Sequence, residues 1–121
     1  MTDRVGRLHH WHDVQLDDGA PWRVFLTPWL RRDGGELLGL TDATRRRIYV
    51  VIACAATVRA TYVHEMLHAA FASVDCAKGD TSLEETLVRA AEAPLVRWLG
   101  GLRRLPPMPA EFRGLLKDEE G

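Results

Sequence analysis

His64, Glu65 and His68, in the run Tyr62-Val63-His64-Glu65-Met66-Leu67-His68-Ala69-Ala70-Phe71, have the types and spacing of a metal-assisted hydrolytic site. On a helix, residues four apart share a face, so both imidazoles can reach one ion. Glu65 sits about 100° further round, able to contact water at that ion but badly placed as a third ligand. This is the layout of a zinc hydrolase with two histidine ligands and one general base. Val58, Ala60, Val63, Leu67, Ala70 and Phe71 make the surrounding stretch apolar. Polar groups placed there need partners, and a metal satisfies both rings at once.

A catalytic zinc ion takes three protein ligands and keeps a fourth position open. The next helical stretch supplies Glu84, Glu85 and Glu92. At about 100° per residue, Leu83, Leu87, Ala91, Leu95 and Trp98 form one apolar face, and Glu84 projects from its middle. Ser82-x-x-Glu85 fits a capping box that would occupy Glu85 at the helix start, although Thr81-x-x-Glu84 fits the same pattern. Glu84 is therefore the preferred third ligand, ahead of Glu85, with Glu92, Asp75, Asp80 and Cys76 behind them.

These residues must be positioned by a small set of elements. Thr57 is a plausible N-cap for a helix from about 58 to 74, and a second helix is expected from about 83 to 99. Pro94 predicts a kink there or an end near Ala93, and Gly100-Gly101 a stop. Trp22 to Leu26 reads as a first strand between Pro21 and Pro28, Glu36 to Leu40 as a short strand, and Ile48 to Ile52 as a central one. Asp17-Asp18-Gly19 and Asp33-Gly34-Gly35 are turns. His9-His10-Trp11-His12 reads as a solvent-exposed segment, since adjacent histidines point apart. Arg45-Arg46-Arg47 reads as a solvated turn.

With 121 residues, the chain has room for one domain, placed at 1–105, followed by a Pro-rich linker and charged tail at 106–121. A hydrophobic fraction of 46% supports a core. Sixteen basic against seventeen acidic residues leave a net charge of −1, so no global field points to nucleic acid. The longest apolar run, 48–56, is too short to cross a bilayer, and the N-terminus offers no signal-peptide pattern. Two cysteines make no disulfide framework, so the expected compartment is the cytoplasm.

The motif followed, sixteen residues after its second histidine, by Glu84-Glu85-x-x-Val88-Arg89 resembles the small zincin-type metallopeptidase-like proteins of bacteriophages. It is more distantly similar to ImmA/IrrE-type peptidases of mobile elements and to SprT-like zincins. The resemblance covers roughly 48–99. It implies a minimal α+β zincin-like domain with a small sheet packed on the active-site helix, and a second helix carrying a glutamate ligand. The activity it implies is zinc-dependent peptide hydrolysis with Glu65 as base, acting on a peptide or protein substrate. The alternative is a zinc-stabilised structural, assembly or repressor-binding module without catalysis. An oxyanion-stabilising partner is also expected, with Tyr49, Tyr62 and the histidines at 9–12 as candidates.

Overall fold

The computed structural model describes residues 3–73 and 80–102. The proposed linker and tail, and the candidate ligands Asp75 and Cys76, lie outside those residues. The fold is α+β, with two helices and two small sheets.

The larger sheet contains β2 (His9–Val14), β3 (Trp22–Thr27), β6 (Gly39–Asp42) and β7 (Arg47–Val51), ordered β2-β3-β7-β6. β3 and β7 pair in parallel, and the other two pairings are antiparallel. The smaller antiparallel sheet is ordered β1-β4-β5, from β1 (Asp3–Val5), β4 (Leu30–Arg32) and β5 (Gly35–Leu37). Asp33 and Gly34 have φ of 51° and 84°, the left-handed pair that a two-residue hairpin turn requires.

β3 and β7 read as nearly continuous apolar runs because both of their faces are covered. Val24, Leu26, Ile48 and Val50 enter one core with Trp11, Trp22, Val58 and Ala69. Phe25 and Tyr49 point the other way and pack with Leu30. The expected central strand is thus β7, an interior strand of its sheet.

Several elements depart from the sequence expectations. Trp22–Thr27 is the third strand, because the segment expected to be solvent-exposed forms β2 against it. Trp11 is 7% exposed, and one aromatic anchor suffices once β3 supplies the backbone pairing. The stretch 36–40 divides at Leu38 into β5 and β6, which belong to different sheets. Arg46 is not simply solvated. It adopts a φ of 53°, and its guanidinium meets both carboxylate oxygens of Asp17 at 2.7 Å, tying two turns together.

α1 spans Ala55–Ser73, and its first turn closes from the Val58 amide to the Cys54 carbonyl, three residues before the expected Thr57 cap. α2 spans Thr81–Leu102 and continues past Pro94, so the helix does not end at Ala93. Its cap is Asp80, whose carboxylate accepts the Leu83 amide at 2.9 Å. Asp80 at the cap releases both Glu84 and Glu85 from capping. Asp80→Ala should therefore lower stability by about 1 kcal/mol and Ser82→Ala should leave it nearly unchanged. Urea unfolding checks this; a larger loss at Ser82 would return the cap to the position that the sequence spacing suggested.

Candidate metal centre

α1 lies between unlike surfaces. Val58, Tyr62, Met66 and Ala69 serve the sheet side, while His64 and His68 face α2. The two rings sit 5.0 Å apart between centroids. Each ring meets carboxylates of α2 through both of its nitrogens. His68 Nδ1 lies 2.6 Å from Glu84 Oε1 and its Nε2 3.0 Å from Glu85 Oε2. His64 Nδ1 bonds Glu92, and its Nε2 stands 3.4 Å from Glu85 Oε1.

The arrangement separates the three glutamates. Glu85 lies between the two Nε2 atoms, whereas Glu84 and Glu92 each hold the outer nitrogen of one ring. One ligand atom from each of His64, His68 and Glu85 falls within 4.8 Å of the others, the one such group among the described residues. Glu84, preferred on the helical-face argument, touches only Nδ1 of His68. The reason is the rotation of α2. Leu83 is 45% exposed and Val88 is fully buried, so the inward face runs through Glu84, Glu85, Val88 and Glu92. Asp80, another candidate ligand, is occupied at the helix cap.

Glu65 points from α1 toward β6 and is 8% exposed. The Thr41 hydroxyl lies 2.8 Å from its Oε1 and 3.0 Å from its backbone carbonyl. Burial raises the Glu65 carboxyl above its usual range, while the Thr41 bond and the charges of His64 and His68 pull the other way. At His68, burial favours the neutral ring, but the bond from Glu84 and the charges of Glu65, Glu85 and Glu84 outweigh it and raise the value. At Glu85 burial is again opposed, by the His68 charge and by Arg89, whose Nε donates at 3.1 Å, and the value falls.

The expected oxyanion partners have these surroundings. Tyr49 stacks on Phe25 in the second core, and His10 meets the edge of that same ring. Trp11, His12 and Tyr62 form an aromatic group, in which burial pushes the Tyr62 hydroxyl up to about 12. His9 lies on β2 opposite Leu26. Among the described residues, Arg89 is the cation bonded to the cluster. Its spacing of four from Glu85 on one helix was the available signal. No helix among the described residues is long and apolar enough to cross a membrane.

No protein-family model, curated protein or solved structure matches this chain.

The shifts give the metal-free protein a defined pH response. A raised His68 value contributes stability below its ordinary 6.5, which is lost as pH rises through the elevated folded value. A lowered Glu85 value contributes stability above its ordinary 4.5, which is lost as pH falls. The Glu65 shift opposes that of Glu85 in the acid range, so the alkaline arm is the diagnostic one. In chelator, the Tm should decline as pH rises above 6.5, and His68→Gln should flatten that decline. An unchanged slope in the variant would remove His68 as its source.

Proposed function

We propose that the chain is a zinc-dependent peptidase whose metal is held by His64, His68 and Glu85, with Glu65 as general base. The observation that carries this reading is the division of labour among the ring nitrogens. Both Nε2 atoms converge on Glu85, while Glu92 and Glu84 hold the two Nδ1 atoms. A carboxylate on the far nitrogen of a ligating histidine fixes its tautomer and raises its basicity. The charges fit a cation as well. Three carboxylates meet two imidazoles and one guanidinium, so the cluster carries net negative charge when both rings are neutral, as metal ligation requires. On this reading the α+β fold is a minimal zincin-like domain, and Glu84 orients His68 instead of binding metal.

A zinc ion at this site supplies Lewis acidity toward a carbonyl and toward water. Glu65 takes the proton from the attacking water at its carboxylate and delivers it to the leaving amine. A carboxyl raised by burial suits a group that must both accept and release that proton. The substrate backbone has a template on β6, at the edge of its sheet. The Val51 amide bonds the Leu38 carbonyl, so by antiparallel alternation Leu40 and Asp42 also face β7. The backbone groups of Gly39 and Thr41 then point outward, where an extended peptide can add as a strand.

Purified with zinc, wild-type protein should cleave a mixed peptide library, and Glu65→Gln should keep the metal while losing hydrolysis by at least about a hundredfold. A zinc-loaded wild type that cleaves nothing sinks the peptidase reading. Zinc retention should fall furthest in His64→Ala, His68→Ala and Glu85→Ala. Glu84→Gln and Glu92→Gln should lose on the order of 10- to 100-fold in affinity. Metal analysis after dialysis would assign the ligand to Glu84 if its loss exceeded that of Glu85.

A further inference from the structure

Two residues of β6 enclose the Glu65 carboxylate from one side. Gly39 and Thr41 are two apart, so their α-carbon substituents share a face of the strand, and both face Glu65. The Thr41 hydroxyl donates to Oε1 at 2.8 Å. A Cβ placed on Gly39 would lie 2.6 Å from Thr61 Cγ2, 2.8 Å from Glu65 Cγ and 3.0 Å from Glu65 Oε2. Real Cβ atoms essentially never approach so closely, so this position is kept bare for room. Gly39 has no positive φ to account for it. The wall it leaves lies against the side-chain stem and against the oxygen that Thr41 does not hold.

The geometry points to β6 as the positioning element of the base. Thr41 anchors Oε1, Gly39 leaves room for the stem and for Oε2, and the Glu65 carboxylate is held in one orientation. This rests on the reading of Glu65 as general base. It adds a coupling to that reading, because the backbone groups of the same two residues face the open edge of the sheet. The strand that receives a peptide is the strand that aims the base. Neither residue touches the metal ligands, so the cradle acts on turnover and leaves metal retention alone.

The test uses the full chain with zinc, a quenched-fluorescent peptide mixture, and the variants Thr41→Val, Thr41→Ser and Gly39→Ala. Thr41→Val should lower kcat by roughly 10- to 100-fold with KM and bound zinc little changed, since a small misplacement of a catalytic group costs that much. Thr41→Ser keeps the hydroxyl and should restore most of the rate. Gly39→Ala should fall with Thr41→Val. A second measurement needs no turnover. In protein labelled with 13C at glutamate Cδ, the Glu65 signal, assigned by its loss in Glu65→Gln, should move in Thr41→Val and return in Thr41→Ser. Wild-type kcat in Thr41→Val, or an unmoved carbon signal, overturns the cradle. If zinc-loaded wild type cleaves nothing, the peptidase reading falls and the carbon signal alone decides whether β6 fixes Glu65.

Discussion

The site depends on one requirement: the ionisable groups between α1 and α2 must satisfy one another. His64, His68, Glu84, Glu85 and Glu92 are all at least partly withdrawn from water. Removing any of them from solvent without partners would cost several kcal/mol. Paired, they form a polar portion of the seam between the two helices. On the described part of α2, Glu84, Glu85 and Glu92 share the inward side with Leu87, Val88 and Ala91. Among the described residues, hydrogen bonds and charge between the helices are directional and so specify their rotation and register.

That requirement explains the distribution of roles. An imidazole has two nitrogens on opposite sides of its ring, and each ring here meets a carboxylate through both. The outer carboxylates hold the ring plane, leaving the two Nε2 atoms directed to a common point. Glu85, reaching both, is chemically distinct from its neighbour Glu84 although a single peptide bond separates them. Glu65 belongs to a different surface. It lies one residue from His64 yet faces a strand, and it is more deeply buried than the α2 carboxylates.

Much of this was legible in the sequence, for identifiable reasons. The motif helix was marked by its spacing inside an apolar run, and β3 and β7 by apolar residues bounded by proline, glycine and charge. β2 was hidden because Trp11 and Val14 are almost its only apolar signals, and its order comes from pairing with β3. The glutamates were ranked by an argument that let apolar residues alone define the buried face of α2. Leu83 is exposed and three carboxylates turn inward, because imidazoles across the interface satisfy them. Thr41 and Gly39 carried no local signal. Their roles arise from contacts with a helix 24 residues further along the chain.

The chain connectivity has a kinetic consequence for how the centre is assembled. His68 meets Glu84 and Glu85 across 16 and 17 residues, within a simple helical hairpin. Glu65 meets Thr41 only after β6 has joined β7, which in turn pairs in parallel with β3 across a long excursion through the smaller sheet. Local closures cost less chain entropy than distant ones, and parallel pairing is slow to form. The histidine–carboxylate half therefore closes through contacts within one helical pair, whereas the surroundings of Glu65 require the longer-range pairing of the sheet.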